Sequence, residues 1–160
     1  EVLHAKPVDI LAKAKSFTAE LKEARQSVER MKEKILHSDV ERFLYASKNI
    51  GGIKVITTTR TDLEAGDLRK LGDFLRDKDP DTVAVLATAT ESKVTFVAVC
   101  GKNAVAKGIR AGDLVRAVSA VAGGKGGGKP DSAMGGGSEV LKIDDALAVV
   151  DDFVAEKLGL

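Results

Sequence analysis

The sequence predicts an α/β chain of the α+β type: a long N-terminal heptad helix, then a mixed β-sheet domain with helices and a glycine-rich loop. Three stretches carry that prediction. Apolar residues recur at Ile10, Ala14, Phe17, Leu21, Ala24, Val28, Met31 and Ile35, in alternating steps of four and three that make an a/d seam. The runs 82–88 and 94–100 are short, apolar and rich in β-branched residues, as strands buried on both faces are. Between two helix-like segments, 123–137 holds eight glycines in fifteen residues.

The helix is expected from Pro7, whose missing N–H has no helical partner in a first turn, to about Leu36. Its apolar stripe is narrow and the other faces carry Lys, Glu, Arg and Gln, so it fits another helix better than its own domain. That helix would lie in upstream sequence or in a second subunit. Phe17, Leu21, Ala24, Val28, Met31 and Ile35 are the expected oligomerisation residues, in a homodimer through the long helix. The pattern stops at His37-Ser38-Asp39, which divides a helical arm, 1–38, from a globular domain, 39–160.

Gly51-Gly52 is the dipeptide of a tight hairpin, expected between strands over 43–50 and 53–59. Thr61 or Asp62 should cap a helix running to about Arg76, with Leu63, Leu68, Leu71, Phe74 and Leu75 turned inward. After the polar break 77–81 come the two buried strands, joined at Glu91-Ser92. Cys100 ends the second one as a small buried hydrophobe. A helix in two parts is expected over 103–122, broken near 108–112, and a last helix over 143–158 with Ile143, Leu147, Val150, Phe153, Val154 and Leu158 inward. The order β-β-α-β-β-α-loop-α reads as a mixed sheet with helices over one face.

The glycine run should form neither a helix nor an ordinary strand, because glycine loses too much backbone entropy there. Its successive N–H groups could instead turn inward as an anion nest, with Lys125 and Lys129 adding charge. A flexible linker is the bland alternative. The net charge of +1 hides a division: Lys93, Lys102, Lys107, Arg110, Arg116, Lys125 and Lys129 face Asp113 alone over 93–130. The segment 131–160 then carries seven acids against Lys142 and Lys157. Lys102, Lys107, Arg110, Arg116, Lys125 and Lys129, with the N–H donors of Gly123, Gly124, Gly126, Gly127 and Gly128, are the candidate nucleic-acid contacts. Five Phe, one Tyr and no Trp leave little for base stacking, so recognition by shape, as of folded RNA, is the expectation. These cations equally serve to solvate helix surfaces.

No catalytic constellation is visible. His4 and His37 lie far in sequence from Cys100 and Ser132, and with one cysteine they cannot make an ordinary four-ligand zinc site. Pro130 follows Gly-Gly-Gly-Lys129 and spoils a phosphate-binding P-loop. The single cysteine points to a reducing compartment, the cytoplasm or an organelle matrix, and no stretch approaches a membrane span. The start, without Met or a signal pattern, reads as the cut end of a longer chain.

Gly123-Gly124-Lys125-Gly126-Gly127-Gly128-Lys129-Pro130-Asp131, followed by Ala133, Gly135 and Gly136, closely resembles the signature near the C-terminus of alanyl-tRNA synthetases. The opening Leu3-His-Ala-Lys-Pro7, the hairpin 48–54, the strand 83–88 and the region 103–128 fall in that family's order. Lys129 stands where Arg is common, which keeps charge but loses bidentate phosphate geometry. The resemblance implies a helical arm plus a globular domain that binds the elbow of tRNA(Ala) and often dimerises, serving both aminoacylation and editing. It also implies that the ATP and alanine sites and the zinc-dependent editing site lie in upstream domains, leaving this stretch with no cofactor and no active site. A shortened motif occurs beside DHH-family phosphoesterases, where a similar domain holds nucleic acid. The other alternative is a purely structural, dimerising module.

Overall fold

The computed structural model describes residues 7–160; His4 and the rest of the opening hexapeptide lie outside them. Two compact units result, Glu1–Ser38 and Asp39–Leu160. Helix α1 (Pro7–Tyr45) opens where the proline predicts but continues nine residues past Leu36. The physical reason is a change of stripe. After Ile35 the apolar positions move to Leu36, Val40, Phe43 and Leu44, still at helical spacing, with Leu36 and Val40 buried. The strand expected over 43–50 is accordingly reduced to β1 (Lys48–Ile50).

The rest of the second unit is one six-stranded sheet. After β1 come β2 (Ile53–Thr59), α2 (Ala65–Lys78), β3 (Thr82–Ala89) and β4 (Val94–Cys100). Then follow α3 (Lys102–Ala106), α4 (Ala111–Val121), β5 (Lys125–Gly128), β6 (Ser132–Gly137), a single 3-10 turn at Val140–Lys142 and α5 (Ile143–Leu158). The strand order is β1-β2-β3-β4-β6-β5, antiparallel except for β2 beside β3, whose parallel pairing uses α2 as the crossover. Gly51 and Gly52 both take positive φ, 58° and 87°, so the β1–β2 turn has the twist a two-residue hairpin needs.

Helices cover both faces of the sheet, not one. Val83, Val85 and Ala87 of β3 and Val94, Phe96, Ala98 and Cys100 of β4 join the core beneath α4 and α5, through Leu114, Val115, Val118, Ala146, Val150 and Val154. The alternate residues Leu86, Val97 and Val99 point the other way, to α2. There the absent side chain of Gly72 admits them: a Cβ would stand 3.0 Å from Val99 and 3.3 Å from Val97. Strands apolar along their whole length demand this second layer.

Helix α2 starts later than its sequence suggests. Glu64 is its N-cap residue, and its carboxylate accepts no capping hydrogen bond. Asp62 instead accepts two bonds from Arg60, 2.7 and 2.8 Å long, while Arg60 also reaches Asp39. Leu68, Leu71 and Leu75 are buried as expected, with Phe74 half-buried and Leu63 ahead of the helix. Helix α5 ends on Gly159 at φ 73°, a left-handed cap. Among the described residues no helix is long and apolar enough to cross a membrane.

Candidate nucleic-acid interface

The glycine run is a hairpin, β5–β6, and not a loop or an inward-turned nest. Intrinsic entropy disfavours such a strand, but helix α4 lies directly on it. A Cβ on Gly135 would sit 2.3 Å from the Ser119 hydroxyl, and one on Gly137 2.1 Å from the Ala122 carbonyl. One on Gly126 would meet Val115 and Ser119 at 3.0 Å. In the other direction, Gly112 of α4 could not carry a Cβ without coming within 3.0 Å of the Gly128 carbonyl. Small residues on both sides bring helix and strand backbones together, and the burial gained offsets the glycine entropy. Ser119 fills the space between Gly126 and Gly135; its buried hydroxyl has no hydrogen-bond partner.

The opposite face of the hairpin is open. Strand alternation and the pairing of Lys125 with Gly136 and Gly127 with Met134 place these residues away from α4. A Cβ on Gly127 would meet nothing within 4 Å. No packing demand explains this glycine. It forms the floor of a groove of about 490 Å³, walled by Arg69, Asp73 and Arg76 of α2 and closed by Lys129, Asp131 and Met134 of the hairpin. Lys129 N–H donates to the Ser132 carbonyl at 2.9 Å. Ladder alternation then makes 127–134 and 125–136 the mutually bonded pairs, so the N–H groups of Gly126 and Gly128 point to the outer sheet edge. Gly124 N–H, next in that outward series, is taken by the Ser119 carbonyl at 2.8 Å.

Not all of the expected cations meet here. Lys102 lines a neighbouring crevice of about 600 Å³ with Arg76 and Asp131, two residues that also border the groove. Arg110 precedes Ala111, whose N–H donates to the Pro130 carbonyl at 2.8 Å, so it stands beside the hairpin turn. Lys107 instead reaches the Gly51 carbonyl at 3.4 Å, at the β1–β2 turn. Arg116 pairs with Asp113 along α4 at 3.0 Å. Arg69 and Arg76, which sequence reasoning missed, join the group from α2. They are seven residues apart and so share a face, a signal readable in the sequence. Arg76 is already held by Asp73, Asp77 and Asp131 at 3.1–3.4 Å, whereas Arg69, Lys102, Arg110, Lys125 and Lys129 form no ion pair among the described residues.

Little acid–base chemistry is available. Cys100 is fully buried, and desolvation with a contribution from Asp131 pushes its thiol up to about 12. Among the described residues no three His, Cys, Asp or Glu side chains gather to hold a metal. The arrangement can bind an anion through exposed cations and bare backbone.

Residues 52–156 match the family model described as DHHA1 domain. The chain is 38% identical over 147 residues to an alanine–tRNA ligase of Acetivibrio thermocellus, covering 92% of this chain and 17% of the relative. It is 34% identical over 159 residues to the enzyme of Alkaliphilus oremlandii, covering 99% and 18%. It therefore spans less than a fifth of the length of these relatives. Among solved structures, the C-Ala domain of Aquifex aeolicus alanyl-tRNA synthetase superimposes with a TM-score of 0.64 at 28% identity, over 68% of this chain and 97% of that one. A pGpG-specific phosphodiesterase from Vibrio shares the fold alone, with a TM-score of 0.53 at 12% identity over 84% of this chain and 42% of its own. The chain belongs to the DHHA1 domain family, in the form that its sequence relatives, the alanine–tRNA ligases, carry.

Proposed function

We propose that this chain is the tRNA-holding part of a cytoplasmic alanine–tRNA ligase, gripping the elbow of tRNA(Ala) so that upstream domains can charge and edit its acceptor end. The observation that carries the reading is the groove over Gly127. Unpaired cations, Arg69 and Lys129, flank a floor with no side chain, and Lys125, Arg110 and Lys102 extend the positive surface around the hairpin. A phosphodiester backbone fits such a surface through charge and N–H donors, with no base read directly. Oligomerisation through the exposed seam of α1 is the second half of the proposal, since Phe17, Leu21, Val28, Met31 and Ile35 are all at least half exposed.

A second reading has its own support: the glycines that face α4 are fully explained by packing, as a purely structural module would require. Binding of the chain to intact tRNA and to an RNA hairpin of equal length without the elbow separates the two. Preference for tRNA, weakened by salt and by the pair Lys125→Ala, Lys129→Ala, supports the first. Equal or absent binding to both RNAs leaves the structural module.

A further inference from the structure

The groove over Gly127 has a neighbour that a phosphate backbone alone leaves empty. The crevice of about 600 Å³ beside it lies within the roughly 300–1,000 Å³ of small-molecule sites. Pro80 and Val105 give it apolar walls next to the buried Cys100, and Arg76, Asp77, Lys102 and Asp131 are its charged lining. Backbone bonds hold these walls in place. Asn103 N–H donates to the Pro80 carbonyl at 3.0 Å, Gly101 N–H to the Thr82 carbonyl at 2.7 Å and Cys100 N–H to the Asp131 carbonyl at 3.0 Å. Gly101 permits the close approach, since a Cβ there would stand 2.3 Å from the Pro80 carbonyl oxygen. The crevice is therefore formed before any ligand enters it.

We infer that this crevice takes one unpaired guanine base of the RNA whose backbone occupies the groove. Its role rests on the RNA-backbone reading proposed above and adds a base contact to it. Arg76 and Asp131 border both cavities, so a ligand filling both must join an anionic part closely to a flat, polar-edged one. A nucleotide is such a ligand. The charged lining then selects the base. Guanine offers N1–H and N2–H side by side to one carboxylate, and O6 and N7 side by side to one cation. No other standard base presents two adjacent N–H groups on one edge.

Asp131 is the carboxylate available for that edge. Its Oδ2 accepts only a long 3.4 Å bond from Arg76, and its Oδ1 accepts none among the described residues. It lies close to the inner wall, since its charge adds to burial in raising the Cys100 thiol. Asp77, by contrast, is engaged with Arg76 Nε at 3.1 Å. Lys102 forms no ion pair among the described residues and is the cation left for O6 and N7. The ring faces need only the apolar walls of Pro80 and Val105, so the scarcity of aromatic residues is no obstacle.

The test is binding of the chain, at low salt, to a uridine octanucleotide and to versions with one central guanine, hypoxanthine or adenine. Hypoxanthine keeps every edge group of guanine except the N2 amine. The guanine strand should bind roughly 5- to 150-fold more tightly than all-uridine, as a bidentate base contact implies, with hypoxanthine between them and adenine near uridine. Asp131→Asn should abolish the guanine preference. It should leave all-uridine affinity unchanged or higher, because an anion is removed from the groove's border, whereas a misfolded variant would lose both. All-uridine binding with no gain for guanine, or an equal gain for adenine, overturns the guanine site and leaves the groove standing. A guanine preference that survives Asp131→Asn overturns the assignment of Asp131. No binding to any strand overturns the inference, and intact tRNA titrated alongside then tells whether the groove reading falls with it.

Discussion

Gly135→Ala places a single methyl group against helix α4 and measures how far packing dictates the glycine hairpin. The new Cβ would lie 2.3 Å from the Ser119 hydroxyl, 2.8 Å from the Gly126 Cα and 3.1 Å from the Lys125 carbonyl. Two of these neighbours are backbone of β5 and cannot rotate away, so the two strands of the hairpin must shift relative to each other, while the Ser119 side chain of α4 must turn aside. Overpacking of this kind costs about 1–3 kcal/mol, and backbone neighbours put the expected value near about 3. For a domain of this size that lowers the melting temperature by roughly 6–12 °C. Ser119→Ala in the same chain removes the shortest contact and should recover part of the loss, leaving the Gly126 contact. Ser119→Ala alone should be neutral or mildly stabilising, because the hydroxyl it removes is buried without a partner. Thermal and urea unfolding of the four proteins read these differences. A Gly135→Ala chain within about 0.5 kcal/mol of the parent would refute the reasoning, since surface substitutions of no structural consequence fall in that range.

Other perturbations separate fold from site. Gly127→Ala has open space and an ordinary φ, so it should raise stability by about 0.4–1 kcal/mol through the unfolded chain while weakening RNA binding at the groove floor. Unfolding and RNA titration on one sample check both signs. Asp79 is held below the ordinary carboxylate range by its hydrogen bond to Lys54, and Asp62 likewise by Arg60. Their stabilisation is complete above the unfolded-state value, roughly pH 4, and is lost as the pH falls through the depressed values. The melting temperature should therefore drop more steeply below about pH 4 in the parent than in Lys54→Met. The Cys100 thiol should resist alkylation at mildly alkaline pH in the native chain and react fully in denaturant, as mass spectrometry would show.

The elements legible in the sequence were those whose signal is local. The start of α1, the Gly51-Gly52 turn, the paired apolar strands and the span of α5 each follow from periodicity or turn chemistry within a few residues. What escaped depended on partners distant in sequence. Glycine propensity argues against a strand, and only the small residues of α4, Gly112, Ser119 and Ala122, explain why β5 and β6 form beneath it. The extension of α1 to Tyr45 escaped because the end of one apolar stripe resembles the end of a helix. The capping role expected of Asp62 was lost to Arg60, which lies only two residues away and carries the stronger charge-assisted bond. At the candidate interface the basic segment 93–130 was visible as composition, yet the fold sends Lys107 to another turn and pairs Arg116 along its own helix. It recruits Arg69 and Arg76 from α2, a helix outside that segment.

The most direct measurement is the salt dependence of tRNA affinity for the parent chain, for Arg69→Ala with Lys129→Ala, and for Lys107→Ala. Each phosphate contact contributes about 0.7–0.9 to the slope of log affinity against log salt. The double variant should lose roughly 1.4–1.8 from that slope, with its melting temperature unchanged, and Lys107→Ala should track the parent. A double variant with the parent's slope, or a larger loss for Lys107→Ala, would contradict the assignment of the groove over Gly127 to the RNA backbone.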